Sequence, residues 1–309
     1  MKFKVCLGWG KDIVKRLIPG MGLFPDPPAL ELVPAEEGNA RIKELLYSDA
    51  PFLAGRVGST ELRNLLYING LKFALKAPPR LEIEAGIFPG NFTTAKNFVA
   101  ELEAGLELVD VLISFGWSGE GYLKNYLRED VLVTRPHALE PYLLPGTGWW
   151  HALRGKRVLI VNSFASFLKE RLTRETLLKL WPQEFEHIEK ILPRDCIAIN
   201  TPYGWESKTK SKYRSYADVL DDLKNQISNT DYDVALIACG GIGLPLAAWV
   251  KSQGKQAIHV GGVLQVWGGI KGKRFMTEKP WDAMDKTYWV NAPDSTRPSS
   301  TDYGAGCYW

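Results

Sequence analysis

Residues 233–262 constrain the fold more than any other stretch, because strand, glycine turn, helix and second strand follow one another without interruption. Residues 233–239 form a short and almost unbroken apolar run, which is typical of a strand buried on both faces of a parallel sheet. Gly240, Gly241 and Gly243 come next, and residues 244–252 then read as a helix. Residues 257–260 resume as a strand. The stretch therefore predicts one βαβ unit.

The glycine turn of this unit has two interpretations. Glycines let backbone N–H groups approach a ligand closely, and a helix N-terminus favours phosphate or another anion. The spacing of Gly240, Gly241 and Gly243 differs from the dinucleotide fingerprint G-x-G-x-x-G. The turn is then either an anion-binding edge of the sheet or a tight strand-to-helix connection that binds nothing.

The rest of the chain alternates strands and helices in the same way. Strand patterns at 52–56, 109–115, 131–134, 157–162 and 195–200 are separated by helical patterns, so a doubly wound α/β fold with a mostly parallel sheet is predicted. We divide the chain into an N-terminal arm and connector (1–50) and an α/β domain (51–309), with an internal midpoint near 145–155. Residues 81–91 and 206–214 and the segment after Gly262 read as loops.

Bulk composition excludes several classes of protein. The 309 residues are 45% hydrophobic and 24% charged, which is ordinary for a globular protein. A net charge of +3 gives no case for a nucleic-acid binder. Four well-separated cysteines form neither a zinc motif nor a disulfide framework, so a cytoplasmic protein is expected. The basic N-terminal arm is either an amphipathic helix touching the inner face of a membrane or an arm packed on the body.

Several candidate functional residues follow predicted strands. Arg56, Ser59 and Glu61 come after the strand at 52–56, and they suit an anion binder, a hydrogen-bonding group and a metal ligand or base. The alternative is that Ser59 or Thr60 caps the next helix and that Glu61 only favours its first turn. Glu120 lies at a second strand-to-helix junction and has the same two interpretations.

Further candidates lie near the end of the βαβ unit and beyond it. His259 precedes two glycines in the closing strand, where it either reaches a ligand or hydrogen-bonds within the core. Lys271, Lys273 and Arg274 lie in a glycine-rich basic segment, which is either a loop that folds over phosphates or a solvated loop.

Seven short motifs carry a resemblance to a known family; they are GRVGSTEL (55–62), AGIFP (85–89), ALEPY (138–142), ACGGIGLPLAA (238–248), IHVGG (258–262), GIKGKR (269–274) and GCYW (306–309). Together they resemble bacterial polysaccharide-biosynthesis proteins that are similar to glycosyltransferases of the GT-D fold. They span about residues 52–309, and they imply a Rossmann-like, GT-D-like sheet.

The resemblance has one departure at the site that matters most. GT-D enzymes carry R-x-G-D-G-E after an early strand, and its Asp-x-Glu helps to hold a divalent metal and the phosphates of a nucleotide sugar. Arg56, Gly58 and Glu61 match this pattern, whereas Ser59 replaces the aspartate and Thr60 the second glycine. Metal dependence on Mn²⁺ or Mg²⁺, with Glu61 as ligand, is left open by this replacement.

The resemblance implies a glycosyltransferase that moves a sugar from a nucleotide-sugar donor, most simply a UDP-sugar, to a saccharide or lipid-linked acceptor in capsule or O-antigen synthesis. Glu61, Glu120 and Glu140 are the candidates for the catalytic base, in that order. The expected donor-binding residues are Arg56, Gly58, Ser59, Gly240, Gly241, Gly243, His259, Lys271, Lys273 and Arg274. The alternatives are another phosphosugar- or nucleotide-handling enzyme and a non-catalytic nucleotide-sugar-binding module.

Overall fold

The computed structural model describes residues 28–70 and 77–298. Residues 1–27 of the predicted arm, the terminal GCYW motif, Cys6 and Cys307 lie outside these ranges. Within the described ranges, no helix has the length and apolar character that crossing a membrane requires.

Seven parallel strands form one sheet, in the order β3-β2-β1-β7-β6-β4-β5. The strands are β1 (Leu53–Arg56), β2 (Val111–Ile113), β3 (Leu132–Thr134), β4 (Arg157–Asn162), β5 (Asp195–Asn200), β6 (Val234–Ala238) and β7 (Gln256–His259). The βαβ unit predicted at 233–262 is present as β6, a helix and β7, paired in parallel with Ile237 opposite His259. The predicted doubly wound α/β class is confirmed.

Helices cover both faces of the sheet. They are α1 (Ala35–Tyr47), α2 (Ser59–Ile68), α3 (Ala77–Ala85), α4 (Phe92–Leu106), α5 (Ala165–Arg171), α6 (Arg174–Leu180), α7 (Ile188–Ile191), α8 (Ser207–Lys212), α9 (Tyr216–Ser228), α10 (Gly243–Ser252), α11 (Leu264–Trp267) and α12 (Lys273–Thr277). Short 3₁₀ helices complete the connections at Glu120–Tyr126, Pro136–Leu139, Pro141–Leu143, Trp149–Leu153, Pro182–His187, Gly240–Ile242, Gly261–Val263, Trp281–Ala283 and Asp294–Thr296.

Alternate residues of each central strand feed two separate cores. In β4, Val158 and Ile160 pack with α1 and α5 on one face, whereas Leu159 and Val161 pack with α4, α9 and α10 on the other. This alternation follows from the period of two along a strand and explains why these strands are apolar throughout.

Helix α1 belongs to the first of these cores, although the sequence grouped it with the arm. Ile42 and Leu46 are fully buried, and the helix packs against Trp149–Leu153. That 3₁₀ helix lies in the predicted midpoint, and its residues are themselves buried. The buried core therefore includes α1 as well as the described strands and helices from residue 51 onward.

Three segments predicted as loops contain helices. Residues 81–85 belong to α3, residues 207–212 form α8, and α11 and α12 follow Gly262. Leu264, Val266 and Trp267 of α11 are buried, so this segment is part of the core. The prediction that residues 81–91, residues 206–214 and the segment after Gly262 are loops is wrong where these helices form.

Candidate active site at the carboxyl edge of the sheet

A cavity of about 400 Å³ opens at the carboxyl edge of the sheet. The ends of six strands contribute to its wall, through Arg56 at the end of β1, Phe115 after β2, Asn162 at the end of β4, Thr201 after β5, Ala238 in β6 and His259 in β7. Ligands of open α/β sheets bind at this edge, outside the carboxyl ends of the strands.

The cavity lies over a switch in the direction of the connections. Strands β4 and β6 are neighbours, but β4 is followed by β5 on one side and β6 is followed by β7 on the other. The connections that follow β4 and β6 therefore run in opposite directions, and a crevice lies between them. The side-chain amide of Asn162 spans this point, because it donates to the Ala238 carbonyl oxygen (3.0 Å) and accepts from the Phe164 N–H (2.9 Å).

The segment after β1 supplies the charged groups of one wall. Arg56, Gly58, Ser59, Thr60 and Glu61 all line the cavity, so the structure brings these predicted site residues together. Gly58 is the N-cap of α2 and makes no side-chain cap. The predicted capping role of Ser59 or Thr60 is therefore wrong, and the helix N-terminus leaves backbone N–H groups at the cavity.

Glu61 is the candidate base with the most suitable surroundings. Its half-buried carboxylate packs against Gly58, where a side chain would collide with it. Burial away from water raises the pKa of Glu61, and the smaller opposing effects come from its own backbone N–H and from the charge of Arg56. A carboxyl group with a raised pKa suits proton transfer near neutral pH.

Arg56 is held by an aromatic stack. Its guanidinium lies 4.6 Å from the centroid of the Phe115 ring, and Phe115 stacks on Trp117 at 4.4 Å with an interplanar angle of 9°. Phe115 and Trp117 also line the cavity. The stack fixes a positive charge beside the N-terminus of α2.

His259 is buried at the cavity floor and is neutral. Burial lowers the pKa of His259 to about 3, and the nearby charge of Arg56 acts in the same direction. Its Nδ1 lies 3.3 Å from the Ile237 carbonyl oxygen, to which Nδ1–H donates in the neutral ring. Nε2 is then the hydrogen-bond acceptor of the ring.

The three glycines after β6 have different surroundings. Gly240 lines the cavity and has a φ of 66°, which favours glycine. Gly241 packs on Ala85 and Ile87, and Gly243 packs on the His259 imidazole so closely that any Cβ would collide with it. Gly241 and Gly243 are outside the cavity lining, and their backbones serve close packing.

Of the predicted basic segment, Arg274 is the residue that reaches the cavity. It lies 5.1 Å from the centroid of the Trp281 ring and 3.2 Å from Glu278. Lys271 and Lys273 are outside the lining, because the chain is fixed there: the Lys271 N–H donates to the Val290 carbonyl oxygen (2.8 Å). The segment expected as a loop is instead a turn that is hydrogen-bonded to Val290 and leads into α12.

The carboxylates of Glu120 and Glu140 are engaged away from the cavity lining. Glu120 accepts from the Ser114 hydroxyl and from the N–H groups of Phe115 (3.0 Å) and Gly116 (2.9 Å). Glu140 is 2% exposed, and it accepts from the Tyr142 hydroxyl and the Trp281 indole, both at 2.7 Å. These hydrogen bonds give both carboxylates a structural role that involves no ligand.

The donor set around Glu61 does not fit a divalent metal. Glu84 is the neighbouring carboxylate, but it accepts from Thr60 and pairs with Arg80 (2.6 Å) and Arg63 (3.4 Å). Among residues 28–70 and 77–298, no three His, Cys, Asp or Glu side chains come together in a metal-binding group. One carboxylate beside an arginine is a poor site for Mg²⁺ or Mn²⁺, which need several oxygen ligands.

A second wall was not assigned a function from the sequence. Residues 162–164 at the end of β4 and 201–205 after β5 line the cavity. In the sheet β4 and β5 lie on one side of β6, whereas β1 and β7 lie on its other side. The signal was present, because Ser163 and Thr201 directly follow apolar strands and so belong at the carboxyl edge. What the sequence lacked was the adjacency of β4 and β6.

No known family model and no curated protein matches the chain. Among solved structures, the chain is similar to a selenomethionine-substituted structure of domain of unknown function 1792, with 14% identity and a TM-score of 0.44, over 77% of this chain and 80% of that one. It is also similar to a structure described with the words "the highly conserved domain of unknown function 1792 has a distinct glycosyltransferase fold", with 15% identity and a TM-score of 0.43, over 75% and 78%. Similarity this low says nothing about the function of the chain.

Proposed function

We propose that the cavity binds a nucleotide-activated sugar and transfers the sugar to a hydroxyl group of a saccharide acceptor. The observation that carries the proposal is the meeting of Arg56, a helix N-terminus and the raised-pKa carboxyl group of Glu61 in one cavity at the carboxyl edge. Glycosyl transfer needs these three functions: charge stabilisation for the phosphate, oriented backbone donors and a base.

The donor pyrophosphate is assigned to the space beside Arg56. Backbone N–H groups at the N-terminus of α2 and the glycine backbones of Gly240, Gly261 and Gly262 line the same cavity. Gly261 lies against Arg56, since a Cβ there would be 3.2 Å from the guanidinium. Arginine and backbone N–H groups are the usual ligands of phosphate oxygens.

Glu61 is assigned as the base. Its carboxylate takes the proton of the acceptor hydroxyl as that oxygen forms a bond to the anomeric carbon of the donor. The bond from the anomeric carbon to the phosphate oxygen breaks, and the nucleoside diphosphate leaves with the bonding electrons. Arg56 stabilises the negative charge that develops on the departing phosphate.

We propose that the reaction uses arginine charge in place of a metal held by Glu61. Ser59 occupies the position of the second metal-binding carboxylate in the GT-D pattern, and Glu84 is committed to two arginines. Arg56 and Arg274 then supply the positive charge that a metal supplies elsewhere. Activity that is unchanged by a chelator is the expected outcome.

The finer details of the proposal rest on the motif resemblance. UDP is the expected nucleotide, and a saccharide or lipid-linked saccharide of a bacterial capsule or O-antigen is the expected acceptor. A cytoplasmic site of action at the inner face of the membrane would follow from such an acceptor.

Thermal unfolding with added nucleotides tests the proposal. UDP, GDP, CMP and dTDP are each added with and without Mn²⁺, and a ligand that binds the folded state raises Tm by mass action. We expect a rise with one nucleotide, the same rise without Mn²⁺, and its loss in Arg56→Ala. Arg174→Ala is the matched control, because Arg174 is exposed on α6 and pairs with Glu189.

Turnover is then measured as release of the nucleotide from the corresponding sugar donor. Release by the wild type and its loss in Glu61→Gln would support the transferase. Saturable nucleotide binding without release from any sugar donor would indicate a non-catalytic binding module. No response to any of the four nucleotides would refute the proposal and favour another phosphosugar enzyme.

A further inference from the structure

The wall of the cavity at β4 and β5 differs in chemistry from the wall at β1. Residues 162–164 and 201–205 contribute no formally charged side chain to the lining. The charged lining residues come from β1, α2, α3, α12 and the residue after α12, and they are Arg56, Glu61, Glu84, Arg274 and Glu278. The cavity is therefore divided into a charged wall and a neutral wall. The neutral wall belongs to β4 and β5, which lie on one side of the point where the direction of the connections switches.

Hydroxyl groups supply the polarity of the neutral wall. The Ser163 and Thr201 hydroxyl oxygens lie 3.2 Å apart, one following β4 and one following β5. The Tyr203 hydroxyl donates to the Thr296 carbonyl oxygen (3.2 Å), and burial raises the pKa of Tyr203 well above its ordinary value, so the phenol stays neutral. Hydroxyl groups both donate and accept, which matches the hydroxyl groups of an uncharged sugar.

Aromatic rings form the apolar part of the same wall. The rings of Tyr203 and Trp205 lie 5.0 Å apart at an interplanar angle of 39°, and Phe164 also lines the cavity. Aromatic rings offer an apolar surface together with a polar edge, which suits the C–H face of a pyranose.

The backbone holds these aromatic residues in place. Gly204, between Tyr203 and Trp205, packs against Gly86 so closely that a Cβ would overlap the Gly86 carbonyl oxygen. The loop after β5 is therefore fixed against the chain that follows α3. A wall that is fixed before binding loses little entropy when it orders a ligand.

We infer that the neutral wall is the acceptor subsite and that it takes an uncharged saccharide through Ser163, Thr201, Tyr203 and Trp205. The acceptor role of this subsite rests on the proposed transferase function. Saccharide binding at the subsite is inferred from the residues of the neutral wall alone. An acceptor on this wall shares the cavity with Glu61, which then removes the proton from its hydroxyl group. The charged wall at Arg56 holds the donor phosphates.

Binding of simple sugars in the absence of nucleotide tests the subsite. The probes are the methyl α- and β-glycosides of glucose, galactose, mannose and N-acetylglucosamine, with tryptophan fluorescence and ligand-observed saturation-transfer NMR as readouts. We expect at least one glycoside to bind, and Trp205→Ala and Thr201→Val each to weaken it by about tenfold. Phe185→Ala is the matched aromatic control, because Phe185 is 67% exposed and lies outside the cavity lining.

The location of each ligand within the cavity is tested by measuring both nucleotide binding and glycoside binding in a variant of each wall. Trp205→Ala should keep the Tm rise caused by nucleotide, whereas Arg56→Ala should lose that rise and keep glycoside binding. Near-UV circular dichroism shows whether each variant is folded, and Thr201→Val covers the case in which Trp205→Ala is not. Glycoside binding that resists both Trp205→Ala and Thr201→Val would overturn the location.

The outcomes separate this inference from the proposed function. A nucleotide response with no glycoside bound would overturn the acceptor subsite and leave the transferase standing. Glycoside binding with no nucleotide response would refute the transferase, and the wall would remain a saccharide site without an acceptor role.

Discussion

The ends of β1 and β2 look alike in sequence and differ in the structure. Each strand is followed by glycine and hydroxyl residues and then by a glutamate near the start of a helical segment, Glu61 after β1 and Glu120 after β2. Glu61 faces the cavity with a raised pKa. Glu120 turns back onto the end of its own strand, where a hydroxyl and two backbone N–H groups donate to it.

The difference shows that the donors around a carboxylate decide its role more than its place in the sequence. Three donors satisfy Glu120 and hold the turn after β2 in shape. The carboxylate of Glu61 is desolvated and keeps the capacity to take up a proton. A glutamate at a strand end is therefore a stronger candidate base when burial raises its pKa than when a hydroxyl and two backbone N–H groups of the turn already donate to it.

The largest expected effect is on turnover in Glu61→Gln. The amide cannot accept the proton of an acceptor hydroxyl, so nucleotide release from the sugar donor should fall by about a hundredfold or more. Glu129→Gln is the control, because Glu129 is an exposed glutamate outside the cavity. Turnover that survives in a folded Glu61→Gln protein would remove Glu61 from the role of base.

The next effect is on stability in Glu120→Gln. An amide accepts through one oxygen only, so a buried donor beside it loses its partner, and the free energy of unfolding should fall by about 2 kcal/mol. Denaturant unfolding measures the change, and turnover per folded molecule should stay near that of the wild type. A large loss of turnover at unchanged stability would reverse the comparison with Glu61.

The pH dependence of stability tests the neutral state of His259. The pKa of His259 is about 3 in the folded protein against an ordinary 6.5, so below pH 6.5 the unfolded chain binds the proton more readily. Stability is therefore lost as the pH falls from 6.5 towards 3, by about 2 kcal/mol at pH 5 from this group. His259→Asn should flatten this part of the dependence of the free energy of unfolding on pH. Denaturant unfolding between pH 7 and pH 5 measures the slope in both proteins. An equal slope in the variant would mean that the His259 imidazole is solvated in the folded protein.

The smallest effect has the opposite sign and returns to Glu61. Its folded pKa is raised from 4.5, so the charged form is disfavoured in the folded state and stability falls as the pH rises from 4.5 through the folded pKa. Glu61→Gln should therefore be more stable than the wild type at pH 8, with the difference disappearing by pH 4. Equal stability at both pH values would show that the carboxyl group is solvated in the absence of ligand.

The sequence predicted the parallel sheet because its central strands are apolar on both faces and end in glycine turns. The βαβ unit was placed within a residue or two, since β6 is Val234–Ala238 against a predicted 233–239. Helix α3 was missed because Gly86, Pro89 and Gly90 make the stretch 81–91 resemble a loop, although the helix ends at Ala85, before these residues. Helix α11 was missed because glycine pairs on both sides hide a short apolar helix.

The candidate site was predicted in part. Arg56, Gly58, Ser59, Glu61, Gly240, His259 and Arg274 meet in one cavity because all but Arg274 lie at strand ends, which the sequence reveals. The neutral wall could not be placed, because its position depends on β4 pairing with β6 across more than seventy residues. Lys271 and Lys273 were misplaced, because the pairing of Ile270 with Val290 is a tertiary contact that composition does not show.

The contact between Gly86 and Gly204 has a mechanical consequence. Gly240 and Gly241 press on Ala85 at the same junction, so three segments of chain meet there with almost no side chain between them. A side chain larger than hydrogen at Gly204 would push these segments apart, because there is no flexible side chain in its way that could move aside. The shape of this part of the cavity wall therefore depends on backbone packing, and it is the residues around the junction that can vary without displacing the chain.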